Sequence, residues 1–181
     1  MDKFELFSYK DADKILDEKG LFEEVRTILG NIRRVGHREI QAEFYNKGWE
    51  LEKQIFPEAS WAWDAFKDKV AVSVELSLID AVHRDFLRAI LAHRRNDLDA
   101  LVYVTSTSRE PKFHNVRRDL EIFKEILDFP MLLCGITESG LRHGKRADPE
   151  LQKFLVEVAR SKERGRKPTK RRRLPPAIDY V

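Results

Sequence analysis

Cysteine is almost absent from this 181-residue sequence, with Cys134 the single instance. Disulfides and cysteine-rich zinc sites are therefore excluded, and a thiol inside the apolar run Met131 to Ile136 reads as a buried, inert side chain. No stretch of about 18 apolar residues occurs, which excludes a membrane-spanning helix. The opening Met1-Asp2-Lys3-Phe4-Glu5 is charged and mixed, unlike a signal peptide, so a cytoplasmic protein is expected. The five histidines (His37, His83, His93, His114 and His143) show neither metalloprotease nor zinc-finger spacing. No internal repeat is present.

What the chain has is charge, unevenly spread. The formal net charge is +3, yet the segment Arg160 to Arg173 alone holds nine Lys or Arg and one acid, a net of +8. The remainder, with 25 basic and 30 acidic residues, is at −5. Gly165 and Pro168 prevent a long helix there, so Lys162, Arg164, Arg166, Lys167, Lys170, Arg171, Arg172 and Arg173 form a flexible basic arm suited to a polyanion such as DNA, or else a solubilising tail. The run is neither amphipathic nor followed by an anchor, which disfavours a lipid surface. A division into a domain over 1–158 and an arm over 159–181 follows.

Periodicity supplies the elements. Two helical patterns lie within Asp11 to Arg34, with Gly20 and Gly30 as stops, and a helix runs from Arg38 to Lys47. An extended piece from Trp49 to Phe56 precedes strands Trp61 to Phe66 and Val70 to Ser77. Then come a helix from about Asp80 to Arg94, a strand Leu98 to Thr105, a helix Val116 to Leu127 and a strand Met131 to Ile136. A last helix, Pro149 to Ser161, is capped by Asp148. This order predicts an α/β fold, a mixed central sheet flanked by helices with a helical N-terminus.

The most informative feature is a pair of acids eleven residues apart. From Val70 to Ser77, Val70, Val72, Val74 and Leu76 alternate with Ala71, Ser73, Glu75 and Ser77, so Glu75 stands on a small, polar strand face with room for an ion. If Asp68-Lys69 is a two-residue turn, Lys67 pairs with Val70 and Asp64 lies opposite Ser73, diagonal to Glu75. Such neighbours are roughly 7 Å apart, close enough to share one ion; a three-residue loop would put Asp64 on the wrong face. Mg²⁺ takes one or two carboxylates plus substrate phosphate, which fits Asp64, Glu75 and the backbone carbonyl of Leu76. Phosphodiester cleavage is the chemistry this suggests, with the ion acidifying the attacking water and Ser77 orienting it. Glu43, beside the Ile40/Phe44 face of its helix, is a candidate for a second ion or simply a solvated charge.

Groups that could meet DNA lie nearby. His83 and Arg84, in a helix start that also holds Asp80 and Asp85, could touch a phosphate. Thr105, Ser106, Thr107, Ser108 and Arg109, with Asn115, Arg117 and Arg118, are the hydroxyl, amide and guanidinium types that read phosphates and base edges, though a Ser/Thr loop is also an ordinary loop.

Three segments resemble the PD-(D/E)xK nuclease superfamily, and in particular the BglII-type restriction endonucleases. Tyr9-Lys10-Asp11-Ala12-Asp13-Lys14-Ile15-Leu16 is similar to that family's N-terminal Tyr-x-x-Ala-Asp-x-Ile-Leu stretch. Asp64 with Glu75-Leu76-Ser77 is similar to its catalytic motif, in which Ser77 stands where Lys is usual and where Gln or Glu also occurs. Leu132 to Glu138 resembles its late apolar strand. The resemblance implies a restriction-endonuclease-like core and a Mg²⁺-dependent type II enzyme that cuts both strands of a short palindromic site as a homodimer. A non-catalytic DNA-binding protein, or a structure-specific repair nuclease on the same fold, is the alternative.

Overall fold

One mixed sheet organises the computed structural model, which describes residues 3–56, 58–59, 61–138 and 141. The elements in chain order are β1 (Phe4–Tyr9), α1 (Ala12–Glu18), α2 (Phe22–Asn31), α3 (His37–Asn46), β2 (Glu50–Lys53), β3 (Trp63–Lys67), β4 (Val70–Val74), α4 (Ile79–Arg94), β5 (Ala100–Ser106), α5 (Phe113–Ile122) and β6 (Met131–Ile136). Across the sheet the strands run β1-β6-β5-β4-β3-β2. β4, β5 and β6 are parallel, linked by crossovers through α4 and α5, while β2, β3 and β4 form antiparallel pairs. The last helix expected at Pro149 to Ser161, and the basic arm with Lys170, Arg171, Arg172 and Arg173, lie outside the described residues.

Alternation along the parallel strands divides the core in two. Val70, Val72, Val74, Val102, Val104, Leu132 and Cys134 pack with Leu16, Val25, Ile28, Ile40 and Phe44 of α1, α2 and α3. Ala71, Leu101, Tyr103, Met131 and Leu133 face Val82, Phe86, Ala89, Val116 and Leu120 of α4 and α5. Both faces are therefore covered, which is why all five residues of β4 are buried. The face expected to be open and polar is so only beyond Ser73. Cys134 is fully buried, and burial pushes its thiol up, as an inert side chain should be.

Four local expectations are corrected. β1 was not expected; Phe4-Glu5-Leu6-Phe7-Ser8-Tyr9 lacks β-branched residues and clean alternation, yet it pairs antiparallel with β6, from Phe4↔Ile136 to Tyr9↔Met131. Gly30 lies inside α2 and stops nothing, whereas Gly20, at φ +68°, ends the first helical segment. α5 begins at Phe113 and ends at Ile122, earlier at both ends than Val116 to Leu127. β4 ends at Val74, so Glu75 and Ser77 sit just past its end.

Candidate active site

The β3–β4 hairpin turns on two residues, Asp68 and Lys69, both with positive φ (49° and 61°), as a turn matched to the strand twist requires. The resulting register pairs Lys67 with Val70, Phe66 with Ala71 and Ala65 with Val72. Beyond Ala65 the ladder stops. There Asp64 Oδ2 accepts the N–H of Val74 at 2.6 Å, so a carboxylate fills the place of a backbone acceptor where the strands part. On its other side β4 stays attached, with Glu75 N donating to Val104 O at 2.9 Å.

Asp64 is held from α3 as well. Its Oδ1 is 2.8 Å from His37 Nε2 and accepts from Gln41 Nε2 at 3.3 Å, and its side chain is 18% exposed. His37 and Gln41, four apart, present one face of α3 to it. The Asp64 carboxylate is the main cause of a raised His37 pKa, opposed by burial. Glu43 is on a different side of α3: its charged neighbours are Arg33 and Lys47, and burial pushes its carboxyl up. The helix positions that bond to Asp64 are 37 and 41.

Glu75 is half-buried, and its Oε1 accepts from Ser77 N (2.9 Å), Leu78 N (2.9 Å) and Ser77 Oγ (3.3 Å). The carboxylate thereby closes the turn into α4, and the Ser77 hydroxyl stands beside it. Leu76 sends its side chain to the opposite core.

Behind these acids lies a buried polar cluster. Asp85 accepts from Ser73 Oγ at 3.1 Å and from Arg88 Nη1 at 3.1 Å, and Arg84 Nε is 3.8 Å away. Burial, resisted by Arg88 and Ser73, pushes its carboxyl up to about 6. Tyr103, paired with Ser73 across the sheet, has a buried hydroxyl with no partner among the described residues, and burial with Asp85, Glu75 and Asp64 raises its pKa. His37, Gln41, Asp85, Arg88 and Tyr103 were not identified as site residues from sequence. Asp85 had a signal: it falls on the face of α4 that carries Val82, Phe86 and Ala89.

The expected DNA contacts divide. Arg84, Ser108, Arg109, Arg117 and Arg118 are exposed. Arg109 Nε donates to Glu138 Oε1 at 2.7 Å, Arg117 lies 4.4 Å from the Phe7 ring centroid, and Arg118 pairs with Asp119. Thr105 and Ser106 are corrected as direct readers, since both are fully buried. The Thr105 hydroxyl donates to Pro111 O, and Ser106 Oγ donates to Glu138 while accepting from the Ser108 and Arg109 amides. They brace the loop. Thr107 Oγ1 donates to Ile136 O at 3.3 Å. His83 faces α5, 3.6 Å from Asp119 and with its ring centroid 6.1 Å from that of Phe123.

Among the described residues no three His, Cys, Asp or Glu side chains gather as a metal cluster, and no helix is long and apolar enough to cross a membrane. The oxygen donors at the end of the hairpin are two carboxylates, from Asp64 and Glu75. A family model described as restriction endonuclease BglII/BglIII matches residues 4–136. Among solved structures, the chain is similar to restriction endonuclease BglII complexed with a DNA 16-mer, at 19% identity and a TM-score of 0.66 over 76% of this chain and 77% of that one. No curated protein matches the sequence.

Proposed function

The chain belongs to the BglII/BglIII restriction endonuclease family, a family of DNA endonucleases, and from that premise we propose that it is a Mg²⁺-dependent type II enzyme cutting both strands of a short palindromic site. The observation that supports this best is the parted hairpin, which brings Asp64 and Glu75 to one end of the sheet with Asp64 locked by Val74, His37 and Gln41. Their oxygens are hard donors of the number Mg²⁺ takes alongside water and phosphate, so the residues fit the ion, with the Leu76 carbonyl as a third donor. Bound there, the ion would acidify a water and offset charge on the phosphoryl oxygens. Ser77 and Glu75 then define where that water sits, and Arg84 offers a donor to the phosphate.

Cutting both strands of a palindrome is most economically done by a twofold dimer. Its support is an apolar stripe on α4, where Ile79, Leu87 and Leu91 recur with His83 every fourth residue, continued by Ile122, Phe123 and Ile126 at the end of α5. Leu87 is 67% exposed, an unusual place for a large apolar side chain unless covered. Arg109, Arg117, Arg118 and the basic arm at Lys170, Arg171, Arg172 and Arg173 are the cations proposed to meet the DNA backbone. Incubation with plasmid DNA and Mg²⁺, with the cut ends mapped, tests the proposal. Asp64→Ala and Glu75→Ala should each slow cleavage by at least about 10²-fold. Binding without cutting would favour the non-catalytic alternative.

A further inference from the structure

Asp85 is the one carboxylate on the buried face of α4, which otherwise holds Ala81, Val82, Phe86, Ala89 and Ala92. Burying a charge among such neighbours is unfavourable unless partners hold it, and replacing it with an apolar residue would suit the helix better. One of its partners, Ser73, lies on the strand that leads to Glu75. Ser73, bonded to it at 3.1 Å, stands two residues before Glu75, and the charge of Asp64 acts on both Asp85 and Arg88. Arg88 is clasped between Asp85 and the Trp61 ring, whose centroid is 4.8 Å from the guanidinium carbon, and its buried Nε has no partner among the described residues. Arg84, one turn earlier, has a side chain 55% exposed, with its Nε 3.8 Å from Asp85.

From Val70 to Ile79 the strand and turn that carry Glu75 contain no cationic residue. A phosphodiester bound at Asp64 and Glu75 would find no cation on that segment, while negative charge gathers on its oxygens during hydrolysis. Resting on the nuclease reading above, we propose that Asp85 is a positioning residue that clamps the Arg84 and Arg88 guanidiniums beside the Asp64–Glu75 pair, so that α4 supplies the scissile phosphate with the positive charge β4 lacks. Arg84 makes the contact. Asp85 and Arg88 hold it in place.

The test is single-turnover cleavage of a plasmid that the wild type cuts, at saturating protein with Mg²⁺, for Asp85→Asn, Arg84→Ala and the double variant, alongside DNA affinity measured without Mg²⁺. Asp85→Asn keeps the shape and a partner for Ser73, so its affinity should stay within about threefold while its cleavage rate falls roughly 10²-fold. If Asp85 acts through Arg84, the double variant should be no slower than Arg84→Ala alone. Losses that multiply, or Asp85→Asn cutting at the wild-type rate, would overturn the proposal. Should Asp85→Asn fail to fold, the exposed Arg84→Ala decides: an unchanged cleavage rate overturns it, and a rate loss at unchanged melting temperature supports it. A wild type that cuts no DNA overturns the nuclease reading and this inference with it; a cutting wild type with indifferent variants overturns the inference alone.

Discussion

At the scale of single residues, the contact between His37 and Asp64 reports on the metal. His37 has a raised pKa because a carboxylate shares its proton, so the stability this pair contributes is present below about pH 6.5 and is lost as pH rises through the raised value. A divalent ion taken up by Asp64 draws on the same oxygens and adds positive charge nearby. Titration of the His37 ring by NMR should therefore show its pKa falling when Mg²⁺ is added, with no DNA present. An unmoved pKa would argue against Asp64 as a ligand. The same contact marks what the sequence could not tell: no spacing links His37 or Gln41 to an acid more than twenty residues later, and only the docking of α3 on β3 brings them together. The hairpin register was legible, because a two-residue turn at Asp68-Lys69 fixes the pairing of Lys67 with Val70.

At the scale of elements, periodicity gave α3, α4, β5 and β6 close to their observed limits. It failed where tertiary contacts decide. α5 starts early because Phe113 is drawn over β6: a Cβ at Gly135 would lie 2.7 Å from the Phe113 ring, so only glycine allows that approach. Gly135→Ala is expected to cost roughly 1–3 kcal/mol through overpacking, read as a lower urea midpoint with unchanged slope. Thr105 and Ser106 show the converse. Their composition suggested a reading surface, but the cis Glu110–Pro111 bend and Glu138 take up their hydroxyls.

For the molecule as a whole, the family, the α/β class and the three-segment likeness were visible in the chain, because they rest on local patterns that survive low overall identity. The homodimer was expected from the resemblance alone, whereas the exposed apolar patch was not foreseen, since exposure of Leu87 or Ile126 is a property of the packed surface rather than of helical spacing. If α4 and α5 form the twofold contact, Leu87→Glu should convert a dimer to a monomer in sedimentation experiments and reduce double-strand cutting in favour of nicks, while leaving the melting temperature of the monomer nearly unchanged. A variant that remains dimeric would move the interface elsewhere.

The pairing of β1 with β6 joins Phe4 to Tyr9 with Met131 to Ile136, the last strand among the described residues. During synthesis, Phe4 to Tyr9 must wait, unzipped, until Ile136 has left the ribosome, and a chain shortened by its first ten residues would leave Met131 to Ile136 as a bare apolar border, prone to recruit strands from other molecules.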